Sequence, residues 1–145
     1  MTPDERDQTI LQLNQSMLEC VLRGDWDGYA AHCDVSVSCF EAETNGILVE
    51  GLEFHRFYFD SPAATAAAAG SGAAEASSAV QTQPQSQVTM ARPHLRWLGD
   101  DAVVLSYTRL VQRCSNGEFT TSSCCETRIW QQRHGQWKQV HMHRS

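Results

Sequence analysis

No stretch of this 145-residue chain approaches the run of about 18 to 20 apolar residues that a membrane-spanning helix requires. The first ten residues, Met-Thr-Pro-Asp-Glu-Arg-Asp-Gln-Thr-Ile, contain no apolar core of the kind a secretion signal carries. Positive charge is scarce as well. Eleven Lys and Arg against 17 Asp and Glu leave a formal net charge of −6, which argues against a nucleic-acid partner and provides no polybasic patch for a membrane. Metal-type spacing is missing too: Cys20, Cys33, Cys39, Cys114, Cys124 and Cys125 include no C-x-x-C pair. With no secretion signal, reduced and partly buried thiols are expected rather than disulfides. The expectation is a soluble, cytoplasmic protein with no cofactor.

What is present suffices for one domain with a real core, since 41% of the residues are hydrophobic. Ile10, Leu13, Met17 and Val21, with Leu18 and Leu22, recur at helical spacing and predict a helix over residues 4–23, capped by Thr2 or Asp4 and stopped by Gly24. Asp25 starts a short second helix, 26–32. A strand over 35–41, a turn at Asn45-Gly46 and a strand over 47–50 read as a hairpin. A short helix follows over 52–59. Residues 61–87 are dominated by Ala, Ser, Gly and Gln, with Val80 the one large apolar anchor, and read as a flexible insertion. Strands over 88–98, 102–113, 118–133 and 136–145 close the chain, joined by short turns that make them antiparallel neighbours. Helices first and a long curled antiparallel sheet after them is an α+β pattern, with the first helix across the concave side.

Three arginines stand out within those last strands. Side chains alternate between faces with period two. Arg109 therefore shares a face with Val103, Leu105, Tyr107 and Val111; Arg128 falls with Trp130, and Arg144 with Val140 and Met142. A guanidinium on an apolar face is costly unless paired, so the pattern predicts a charged pocket on the inner side of the sheet. The other reading of the same parity is a ladder of ion pairs on an exposed face.

The segment Leu48-Val-Glu-Gly-Leu-Glu-Phe-His-Arg-Phe-Tyr-Phe59 resembles the signature of the association (hub) domain of calcium/calmodulin-dependent protein kinase II. The resemblance continues through Gly24-Asp-Trp-Asp-Gly-Tyr29, Cys33-Asp34, Phe40-Glu41, Glu126-Thr-Arg-Ile-Trp130, Gly135-Gln-Trp-Lys138 and Val140-His-Met-His-Arg-Ser145, covering the chain apart from residues 61–87. It implies a nuclear-transport-factor-2-like cone and self-assembly into two stacked rings of about a dozen or more subunits. Carried over position by position, it implies a pocket for small carboxylates or the kinase's own regulatory segment, lined by His55, Arg109, Arg128 and Arg144 with Glu41 as internal counter-charge. Phe54, Phe57, Tyr58 and Phe59 are expected as core and subunit-interface aromatics rather than a binding box, since aromatics dominate both settings. Cys125 stands where the family usually has an acidic residue, and Ala63 where one isoform has tryptophan. No Gly-rich loop, His-Arg-Asp loop or Asp-Phe-Gly is present, nor a basic amphipathic calmodulin target. The expectation is a hub excised from a kinase or a free-standing hub-like protein, with Met1 favouring the second.

His141 and His143 share one face of the last strand at a spacing that can bind metal, but no third ligand is visible, so surface histidines are expected. Two functions follow from different classes. One is a non-enzymatic oligomerisation scaffold, its partners being its own copies together with a kinase regulatory segment or full-length kinase subunits. The other is a small isomerase or dehydratase of the same fold using Glu41 and His55, disfavoured because converging arginines would hold Glu41 ionised and poorly basic.

Overall fold

Residues 2–60 and 85–145 are described by the structure, a computed structural model. Residues 61–84, most of the expected insertion, lie outside the described residues. Helix α1 (Pro3–Arg23) starts at a capping box in which Thr2 and Glu5 satisfy each other's backbone N–H, and it ends at Gly24 in the left-handed conformation. Helix α2 (Trp26–His32) is capped by Asp25. Strand β1 (Cys33–Phe40) leads through a 3-10 turn (Ala42–Thr44) and Asn45-Gly46, both at positive φ, to β2 (Val49–Glu50). The expected hairpin is there, but its second strand is two residues long, leaving Ile47 and Leu48 exposed. The expected short helix splits into a 3-10 segment (Leu52–Arg56) and one α-helical turn, α3 (Phe57–Asp60).

Four long strands complete the sheet: β3 (Gln85–Trp97), β4 (Ala102–Ser115), β5 (Glu118–Arg133) and β6 (Gln136–Arg144). Strand β3 begins three residues before the expected Val88, because Gln85, Ser86 and Gln87 pair with Cys114, Arg113 and Gln112. Asn116-Gly117 and His134-Gly135 turn at positive φ, so β4–β5 and β5–β6 are tight antiparallel hairpins. The sheet order is β2-β1-β6-β5-β4-β3, with β1 parallel to β6. That parallel pairing joins residues about a hundred positions apart, a contact for which the sequence carries no local signal. Edge strand β3 bends at Arg92-Pro93, where the ladder shifts register and Pro93 has no N–H to offer.

Helix α1 lies across the concave face. Ile10, Met17 and Leu18 are buried as the periodicity predicts, and pack with Val103, Leu105, Val111 and Trp130. Asn14, which an apolar count passes over, is fully buried and accepts from the Trp130 indole N–H at 3.0 Å. Trp97 donates to Asp7 at 2.7 Å and Gln15 to the Val88 carbonyl at 2.9 Å, fastening the helix along β3. All six cysteines are free thiols, with Cys20, Cys33 and Cys39 buried. Burial pushes the Cys33 thiol up to about 11 and that of Cys39 to about 12, so neither is a thiolate near neutral pH. Among the described residues no helix is long and apolar enough to cross a membrane.

Candidate functional site

Register decides which inward side chains meet. Tyr107 of β4 stands opposite Glu126 of β5, which in turn faces Arg144 of β6; one step along, Leu105 faces Arg128 and Arg128 faces Met142. Arg109 lies on the same face, next along β4 from Tyr107. Two of the three arginines therefore close on one carboxylate. Arg128 Nη2 donates to Glu126 Oε2 at 3.1 Å, and Arg109 Nη1 lies 3.5 Å from the same oxygen. Tyr107 donates to Glu126 Oε1 at 2.6 Å and accepts from Arg128 Nε at 2.9 Å, while Arg128 Nη1 donates to Gln139 Oε1. Burial pushes the Glu126 carboxyl up, but Arg128 and Arg109 outweigh it and hold the group below the usual carboxylate range. Arg128 is thereby hydrogen-bonded through all three of its nitrogens.

A second counter-charge stands beside the expected one: Glu126 is the acid on which Arg109 and Arg128 converge, while Glu41 lies against Arg144. The place of Glu126 two residues before Arg128 put it on the inner face by the same parity that singled out the arginines, so the signal was available. Gln139 was not legible in this way. A bulge leaves Val140 without a partner on β5 and turns Gln139, rather than Val140, fully inward.

Glu41 belongs to a second cluster beside the first. It accepts a hydrogen bond from the Tyr58 hydroxyl and lies 4.0 Å from Arg144 Nη2. Arg144 Nη2 also donates to Glu43 at 2.9 Å, Tyr58 donates to Glu43 at 3.0 Å, and the guanidinium sits 5.7 Å over the Tyr58 ring. Burial pushes the Glu41 carboxyl above its ordinary value, a shift that Arg144 and Tyr58 only partly offset. Burial is the largest influence on the Glu41 carboxyl, and Arg144 is the arginine paired with it. His55 is buried, shares a 2.6 Å hydrogen bond between Nδ1 and the Tyr29 hydroxyl, and leaves Nε2 without a partner among the described residues.

All five residues expected to bind ligand (His55, Arg109, Arg128, Arg144 and Glu41) line one cavity beneath α1. Its volume is about 20 Å³, room for about one water molecule. Among the described residues neither His55 Nε2 nor Arg109 Nε, also buried, has a hydrogen-bond partner, so the cavity's lining carries two nitrogens unsatisfied by those residues.

Burial, with Arg128 and Arg144 adding to it, lowers the His55 imidazole from 6.5 to about 4. A depressed folded value means the unfolded chain takes up the proton first, so stability is full above about pH 6.5 and falls as pH drops toward 4. We expect this one group to remove on the order of 3 kcal/mol across that window. Urea melts at pH 7 and pH 5 on wild type and His55→Gln check it, since the variant should lose much of the difference.

Phe57, Tyr58 and Phe59 divide. Phe57 is 53% exposed, whereas Tyr58 turns inward to Glu41 and Glu43, and Phe59 packs on Trp26 and Tyr29. His141 Nδ1 is hydrogen-bonded to the Ser38 hydroxyl at 2.7 Å, and Phe40 packs against both His141 and His143. Among the described residues no three His, Cys, Asp or Glu side chains come together to hold a metal ion.

A fold shared with known proteins, and a common motif order, can be tested directly. The family described as "Calcium/calmodulin dependent protein kinase II association domain" matches residues 6–70 and 77–145. The chain belongs to this family. The calcium/calmodulin-dependent protein kinase type II of Caenorhabditis briggsae is 36% identical over 139 residues, which are 95% of this chain and 22% of the kinase. This association domain thus spans about a fifth of that curated relative's length. The C. reinhardtii kinase II hub homology domain is 42% identical, with a TM-score of 0.75 and 94% of each chain covered. The C. elegans kinase II association domain is 34% identical, with a TM-score of 0.77, covering 98% of this chain and 96% of that one. An NTF2-like protein from Novosphingobium aromaticivorans, at 13% identity and a TM-score of 0.70, shares the cone fold alone. The α+β, nuclear-transport-factor-2-like reading is the fold observed.

Proposed function

We propose that this association domain is a self-association scaffold, a single domain carrying the Ala/Ser/Gly/Gln-rich segment before β3, whose copies build two stacked rings. The observation that carries the reading is family membership along nearly the whole chain, with two hub-domain structures covering 94% and 98% of it. Closed rings stacked on each other need two self-contact surfaces on each subunit. The outward apolar side chains Val35, Ile47, Phe57 and Phe119 are exposed in the single chain and supply candidate area for them. Within the reading, full-length kinase subunits or a kinase regulatory segment are the heterologous partners. The test is size-exclusion chromatography with light scattering across a tenfold dilution at micromolar concentration. A mass many times 16.2 kDa is expected, and a stable monomer overturns the scaffold.

The cavity beneath α1 is proposed as a site for a carboxylate. Arg109, Arg144 and His55 are its working residues, since their free or releasable N–H groups suit an anion. Arg128, already hydrogen-bonded through all three nitrogens, holds the frame. Acid–base catalysis by Glu41 and His55 is the weaker reading. Glu41 is hydrogen-bonded by Tyr58 and paired with Arg144, so it is not free to take a proton from a substrate. Any ligand of this cavity, a carboxylate included, enters a space of about 20 Å³ only by rearrangement of its lining.

A further inference from the structure

The three cations around the cavity are committed to different degrees. Arg128 is hydrogen-bonded through all three nitrogens, and Arg109 leans on fully buried Glu126. Arg144 is the outermost of the three, and its short ion pair is with Glu43, a carboxylate on the 3-10 turn Ala42–Thr44 whose side chain is 32% exposed. Glu43 can therefore leave Arg144 and be solvated by water, which neither Glu126 nor Glu41 can do. The charges balance as they stand: Arg109, Arg128 and Arg144 against Glu41, Glu43 and Glu126. Bringing in one more carboxylate would leave an uncompensated buried negative charge, unless one of the existing acids withdraws. Glu43 is the acid placed to do so, and its withdrawal would also release its contact with the hydroxyl of Tyr58, which lines the cavity.

We propose that Glu43 is a built-in competitor for the pocket: its carboxylate occupies Arg144, and an incoming carboxylate binds by displacing it. The proposal rests on the carboxylate-site reading given above. It makes Glu43, a residue outside the cavity lining, the determinant of how tightly an acid is held.

The test is calorimetric titration of the assembled protein with succinate, and separately with triaspartate, at pH 7 and fixed ionic strength. Glu43→Gln keeps the shape of the side chain and removes its charge. We expect it to bind the probes about three- to tenfold more tightly than wild type, the effect of releasing a partly exposed ion pair. Glu53→Gln, which removes an exposed acid of the neighbouring 3-10 segment, should match wild type, and Arg109→Ala should lose binding. A larger gain for triaspartate than for succinate assigns the natural acid to a peptide, and the reverse to a free acid. If wild type binds but Glu43→Gln binds no more tightly, or Glu53→Gln gains as much, the competitor is overturned and the pocket stands. If neither wild type nor Glu43→Gln binds either probe, the pocket itself is overturned.

Discussion

Replacing Glu126 by alanine should destabilise the domain by about 3–5 kcal/mol, because it strips the shared counter-charge from two buried arginines. Arg109 and Arg128 would each be left with a guanidinium away from water, and Tyr107 would lose its acceptor. For a domain near this size the loss corresponds to roughly 10 °C in melting temperature. Differential scanning calorimetry at a fixed protomer concentration is the measurement, since self-association would make the melting point concentration-dependent. Glu126→Gln should fall between, keeping hydrogen bonds but no charge. The pH dependence follows from the depressed carboxyl: its contribution is complete above the ordinary value near 4.5 and is lost as pH falls through the lower folded value. The alanine variant should therefore lack that part of the wild-type acid slope. A melting point within 2 °C of wild type would mean that the buried ion cluster is not what holds the concave face together.

Truncating Trp130 to alanine is the second large effect, again about 3–5 kcal/mol. The indole is fully buried between α1 and the sheet, and its N–H is bonded to Asn14, itself without exposure. The substitution opens a cavity and leaves the Asn14 carbonyl unsatisfied, so α1 loses its central attachment to β5. Trp130→Phe should cost less, since it restores most of the volume and forfeits mainly the hydrogen bond. Urea unfolding followed by circular dichroism separates the two. Equal midpoints for the alanine and phenylalanine variants would remove packing from the explanation.

Much of this was legible because it is local or periodic. The α1 stripe, the Gly24 stop, the turns at Asn116-Gly117 and His134-Gly135, and the inward parity of Arg109 and Arg128 are all patterns within one element. What the sequence hid depends on register between elements. The parallel β1–β6 pairing, which brings Cys39 beside Met142 and Phe40 beside His143, has no local mark. The bulge that turns Gln139 inward breaks strict alternation, so the Val140 expectation failed there. Glu43 was invisible because it sits on a turn, where period two does not apply, and only the fold carries it to Arg144. Glu126, two residues before Arg128 on the same strand, is legible by the same parity as the arginines.

Native mass spectrometry of the assembled protein addresses the central proposal most directly. Two stacked rings of identical subunits predict a dominant species containing an even number of 16.2 kDa chains, about a dozen or more. A spectrum dominated by single chains, or by an odd number of copies, would contradict it.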